Sequence, residues 1–122
     1  MAESVIQQKS FKFALEIIHL YIKLQEQREY VLSKQLLRSG TSIGANVEEA
    51  SGGQSRKDFL AKMYIAYKEA RGTKYWLRLL QQSKLVNIDL TNELIYADEI
   101  IRILSSIVKT TEKSIGRSTP NS

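Results

Sequence analysis

The chain contains no cysteine, which excludes disulfides, thiolate nucleophiles and cysteine-ligated metal centres. Proline occurs once, at position 120, and glycine six times in 122 residues. Helices therefore meet no obligatory break before the last residues, and Gly52-Gly53 is the strongest internal punctuation. No apolar run reaches the roughly 18 to 20 residues that a membrane-spanning helix needs. The N-terminal stretch Met-Ala-Glu-Ser-Val-Ile-Gln-Gln-Lys is polar where a signal peptide would be apolar, so a cytoplasmic protein is expected. Histidine occurs once, at His19, with no acidic residue three or four positions on, which suits a structural role better than a catalytic one.

What is present is the composition of a globular protein, 43% hydrophobic and 25% charged, at a length suited to one domain with one core. The net charge of +5 implies mild attraction to polyanions.

Apolar periodicity divides the chain into four helices. Leu90, Leu94, Ala97, Ile101, Leu104 and Val108 recur at 4-3-4-3-4, as do Phe59, Met63, Ala66, Ala70, Thr73, Leu77 and Leu80 in the preceding stretch. Leu36, Gly40, Ile43, Val47 and Ala50 form the seam of a second helix; Phe11, Leu15, Ile18 and Ile22 form that of the first. Ser55 with Asp58 three residues on suits a helix start, and Asp89 is an N-cap candidate for the last helix. The joints are expected at 25–31, at Gly52-Gly53 and at 83–89. Short connections between long helices predict an all-α, antiparallel up-down four-helix bundle over residues 1–115, followed by a disordered polar tail over 116–122.

Helices one and four each carry a second apolar set. In helix one, Ile6, Phe13, Ile17, Leu20 and Leu24 lie roughly opposite the first seam; in helix four, Tyr96, Ile100, Ile103 and Ile107 lie about 130° from it. A fully buried large apolar side chain contributes about 1.5 to 3 kcal/mol, so something is expected to cover these stripes. A wide bundle of tilted helices would cover them internally, and self-association would cover them with a second copy. Thr41, Gly44 and Ala45 favour the second, because small residues let a neighbouring helix approach and Gly and Thr are poor helix formers on a solvated face. Phe13, Ile17, Leu20, Leu24, Thr41, Gly44, Ala45, Tyr96, Ile100, Ile103 and Ile107 are accordingly the expected oligomer contacts.

No catalytic constellation is legible. The adjacent carboxylates Glu48-Glu49 and Asp98-Glu99 diverge by about 100° on a helix and do not converge on a metal or substrate. Ser39, Thr41, Ser42 and Ser55 lack a base, and no glycine-rich phosphate loop follows a strand. No enzyme activity, cofactor or metal is expected. Ser39, Ser42 and Asn46 beside Lys62, Glu69 and Trp76 suggest a polar strip between helices two and three, a hydrogen-bond network that fixes their register or, as the alternative, a ligand site.

The run LLRSGTSIGANVEEASGGQSRKDFLAKMYIAYKEARGTKYWLRLL, from Leu36 to Leu80, resembles the signature of a bacterial four-helix-bundle family. That family was first noted as reading frames in intervening sequences of 23S ribosomal RNA genes and is often labelled S23 ribosomal protein. The resemblance rests on Arg38-Ser39 with Thr41 to Asn46, on Ser55 to Phe59 and on the Glu69 to Leu77 region. It implies an up-down bundle that assembles as a ring-shaped pentamer with a basic surface. The chain is also similar to the accessory protein of diversity-generating retroelements, a pentamer that works with a reverse transcriptase and binds nucleic acid.

Charge is concentrated in the third helix. Residues 56–84 hold eight lysines and arginines against Asp58 and Glu69. Tyr64, Lys68, Arg71, Tyr75 and Arg78 fall within about an 80° arc away from the core seam. Lysine and arginine can meet phosphates there and tyrosine can stack on bases. With Arg56 and Lys57 these are the candidate nucleic-acid-binding residues. The expected function is a non-catalytic homo-oligomeric bundle that binds RNA or DNA; the alternative is a structural or adaptor oligomer whose basic face binds a protein partner, such as a reverse transcriptase.

Overall fold

The structure is a computed structural model and describes residues 3–118. Four helices follow one another: α1 (Val5–Glu26), α2 (Leu32–Ser51), α3 (Arg56–Ser83) and α4 (Thr91–Ser118). Each packs against its neighbour in sequence, and α1 closes the square against α4. The helix α4 extends into the segment expected to be a polar tail, whose last residues, 119–122, lie outside the described residues.

Local chemistry explains the helix ends. Ser4 caps α1 in a reciprocal capping box with Gln7, satisfying donors that have no partner within the helix. The joint between α1 and α2 contains neither glycine nor proline, and Arg28 takes a left-handed backbone (φ 62°) to make the turn. The Glu29 carboxylate then accepts from the amides of Val31 (3.3 Å), Leu32 (2.9 Å) and Ser33 (2.7 Å), doing for α2 what a capping side chain does and adding charge of the favourable sign. The Ser55 hydroxyl accepts from the Asp58 amide at 3.1 Å to open α3. Asp89 accepts from both the amide (3.0 Å) and the hydroxyl (2.6 Å) of Thr91 to open α4, and these bonds hold its carboxyl below the usual aspartate range.

Helix α1 reverses the sequence expectation about its faces. Phe13, Ile17, Leu20 and Leu24, expected at an oligomer contact, are buried in the core with Ile6, whereas Phe11, Leu15, Ile18 and Ile22 are exposed. Two apolar stripes of the same period cannot be ranked by period alone; Ser10, also buried, completes the inward set as 6-10-13-17-20-24 along the whole helix. In α4 the two stripes merge into one wide inward face. Ile100 is fully buried, and Tyr96, Ile103 and Ile107 are partly buried against the core, so for these residues the bundle itself provides the cover. Tyr96 packs on Phe13 with ring centroids 5.4 Å apart and donates to the Lys9 carbonyl at 3.3 Å.

Helices α1 and α2 approach closely at Gly40. A Cβ there would stand 2.9 Å from both γ carbons of Ile17, so the absence of a side chain is what lets Ile17 seat. Between α2 and α3 the buried Thr73 hydroxyl donates to Ser39 at 2.9 Å, flanked by the ion pairs Arg38–Glu69 (2.9 Å) and Lys62–Glu49 (2.8 Å). Ser42 and Asn46 of the expected strip instead bond back to their own helix, to the carbonyls of Arg38 and Ser42.

The adjacent carboxylates diverge as their spacing requires. Glu48 accepts from Gln7 of α1 while Glu49 pairs with Lys62 of α3; Asp98 pairs with Lys74 of α3 (2.7 Å) while Glu99 pairs with Lys9 of α1 (2.5 Å). Each pair ties one helix to both neighbours and fixes register more than it adds stability, since exposed pairs contribute about 0 to 1 kcal/mol. At one end of the bundle the Gln27 side chain donates to the Asn87 carbonyl (3.1 Å) and accepts from its amide (2.7 Å), clamping two joints together.

Candidate nucleic-acid interface

Helix α3 turns Met63, Ala66, Ala70, Thr73, Leu77 and Leu80 into the core, which leaves its cations on the far side. Arg71, Tyr75 and Arg78 of the expected stripe are exposed and line a recess of about 280 Å³ with Lys74 and Ile101. Ile101 also lines the adjoining recess of about 500 Å³, formed by Tyr67 of α3 and by Arg102, Ser105, Ser106, Lys109, Thr110 and Lys113 of α4. The two recesses share Ile101 and form a trough along the α3–α4 seam, lined in one part by cations and Tyr75 of α3 and in the other by cations and hydroxyls of α4 with Tyr67 of α3.

Within the trough, Lys74 is neutralised by Asp98. Arg78, Arg102, Lys109 and Lys113 have no acidic partner within 4 Å among the described residues. The Arg71 guanidinium lies 5.8 Å from the Tyr67 ring centroid and Lys68 lies 5.8 Å from that of Tyr64, contacts that orient a cation without neutralising it. The Tyr64 and Tyr67 ring centroids are 6.2 Å apart, and Tyr75 and Trp76 form a T-shaped pair with centroids 5.3 Å apart.

The other candidates are placed differently. Tyr64 and Lys68 are exposed on the adjoining face of α3. Arg56 and Lys57 open that helix, about 20 Å along its axis from Arg71. The Arg56 guanidinium donates to the Ser114 hydroxyl of α4, a contact that joins the end of the bundle. The α4 wall was missed by reading α3 alone. Arg102, Lys109 and Lys113 recur at 7 and 4 on the side of the α4 seam next to α3, a signal visible once the antiparallel neighbour is known.

A second recess, of about 310 Å³, lies between α1 and α2 and is apolar. Its walls are the exposed seam residues Phe11, Leu15 and Ile18 and the small residues Thr41, Gly44 and Ala45. The small-residue side of α2 thus faces outward beside the outer seam of α1.

No set of three or more His, Cys, Asp or Glu side chains among the described residues is placed to hold a metal ion. His19 is exposed on α1. No helix among the described residues is long and apolar enough to cross a membrane.

Comparison with known proteins agrees with this architecture. No curated protein matches the chain. Among solved structures, a protein of unknown function from the S23 ribosomal protein family of Bacteroides thetaiotaomicron superposes with a TM-score of 0.82 at 48% sequence identity, covering 86% of this chain and 99% of that one. The model of the family described as 23S rRNA-intervening sequence protein matches residues 2–106. With its four-helix bundle, the chain belongs to the 23S rRNA-intervening sequence protein family, also named the S23 ribosomal protein family.

Proposed function

We propose that the chain is the subunit of a homo-oligomer that holds RNA or DNA in the basic trough between α3 and α4. The observation that carries this reading is a run of cations along one seam: Arg71 and Arg78 of α3 line one recess, and Arg102, Lys109 and Lys113 of α4 line the next, the two meeting at Ile101. A solvated helix face carries charges of both signs; a seam along which unpaired cations of two helices follow one another suits a phosphate backbone, which gives sequence-independent affinity.

The apolar recess between α1 and α2 supports self-association. Phe11 is 66% exposed and Ile22 51%, and a second copy laid over this face would cover the outer seam that the bundle leaves open. A closed ring, most simply the pentamer that the family resemblance implies, would repeat the basic trough around its circumference. Weak contacts linked in this way gain avidity without new interactions.

The test is a titration of a mixed-sequence RNA at two salt concentrations. The parent should bind, with affinity falling as salt rises. Replacing Arg71, Arg78, Arg102 and Lys109 together by Gln should weaken binding and flatten the salt slope by about 0.7 to 0.9 for each phosphate that is no longer neutralised. Unchanged binding in that variant would exclude the trough as the site. A parent that binds no nucleic acid while the same variant dissolves the oligomer would favour the adaptor reading.

A further inference from the structure

The trough combines features that duplex recognition does not use. Cations would suffice for a duplex, whose bases are stacked inside and whose phosphates meet lysine and arginine from outside. Here the α3 wall also presents aromatic faces: Tyr75 is 53% exposed beside Arg71 and Arg78, and Tyr67 lines the adjoining recess beneath the Arg71 guanidinium. Eight residues separate the two tyrosines, about 12 Å along the helix, with Arg71 between them and the α4 cations in the recess that Tyr67 lines. Unpaired bases can stack on such rings whatever their sequence, while the backbone follows the charges.

We infer that the trough is specific for single-stranded polynucleotide, with the strand's backbone along Arg78, Arg102 and Lys109 and an unpaired base stacked on Tyr75. This rests on the nucleic-acid reading above and specifies its ligand. Stacking on Tyr75 requires the flat ring but not its hydroxyl. A solvated tyrosine, or one that only packs on Trp76, would show no such requirement toward ligand.

The experiment compares a mixed-sequence single-stranded 20-mer with the blunt duplex of the same sequence, as RNA and as DNA, at one salt concentration. The proteins are the parent, Tyr75→Leu and Tyr75→Phe, all as intact oligomers. The single strand is expected to bind the parent about tenfold or more tightly than the duplex. Tyr75→Leu should weaken single-strand binding by roughly tenfold and Tyr75→Phe should restore it, with duplex binding and the salt slope unmoved. Equal binding of both forms with Tyr75→Leu silent would overturn the inference and leave the nucleic-acid reading standing. So would a single-strand preference that survives Tyr75→Leu. Failure of either form to bind the parent would overturn both.

Discussion

Replacing Gly40 by alanine tests the close approach of α1 and α2. Alanine is a better helix former than glycine by about 0.8 to 1 kcal/mol in a helix interior, so a helical glycine with free space gains from the change. Gly72 of α3 is such a position, with nothing within 4 Å of where a Cβ would stand, and at Gly44 the nearest atom is the Ser10 carbonyl oxygen at 3.4 Å. At Gly40 the same methyl would stand 2.9 Å from two carbons of Ile17 and 3.2 Å from its Cβ. Those atoms are the stem of a fully buried, β-branched side chain, so it cannot swing away and the helices must part. Overpacking of this kind costs about 1 to 3 kcal/mol, which outweighs or cancels the helical gain. Gly72→Ala should therefore stabilise by about 1 kcal/mol and Gly40→Ala should destabilise by up to about 2 kcal/mol. Ile17→Ala removes both offending carbons at its own cavity cost of about 2 to 5 kcal/mol. In that background Gly40→Ala should turn stabilising, a coupling within the roughly 0.5 to 3 kcal/mol range of contacting residues. Urea denaturation of the four proteins of the cycle at one fixed concentration reads this coupling. A Gly40→Ala that stabilises the parent as Gly72→Ala does, with no coupling to Ile17, would refute the packing described.

Leu15→Glu with Ile18→Lys should leave helicity intact and lower the assembly state in sedimentation, whereas a lysine at Ile17 should unfold the subunit because that position is in the core. Glu29→Ala removes the acceptor of three α2 amides and should lower stability by about 0.5 to 2 kcal/mol in chemical denaturation. The Asp89 carboxyl is held below its usual value by Thr91, so its ionised form favours the fold. That contribution is complete above the unfolded value of 3.8 and is lost as pH falls through the lower folded value. Melting of Asp89→Ala and parent should thus differ by a constant amount near neutrality, and the gap should close in acid below that value.

The four helices were legible because glycine and proline are scarce and the seams of α2, α3 and α4 each keep one period. Joints were legible where a capping residue marks them, at Ser55 and Asp89, and only as a lapse of period between α1 and α2, where Glu29 acts from a position that no capping motif flags. The inward face of α1 was not legible from spacing, because period is blind to direction. The packing that goes with it is tertiary: Gly40 of α2 admits Ile17 on the inward face, and Phe11 is left outward. Half of the trough was legible, since Arg71, Tyr75 and Arg78 share one arc of one helix. Arg102, Lys109 and Lys113 join them only through the pairing of α3 with α4, a tertiary fact that a single helix does not encode.

The most direct measurement of the central claim is the location of bound strand on the protein. A mixed-sequence RNA carrying 4-thiouridine, irradiated in complex with the intact protein and followed by peptide mass mapping, should leave adducts on residues 67–78 of α3 and 101–113 of α4. Adducts confined to α1 and α2, or spread without preference over every exposed lysine, would contradict the trough as the site.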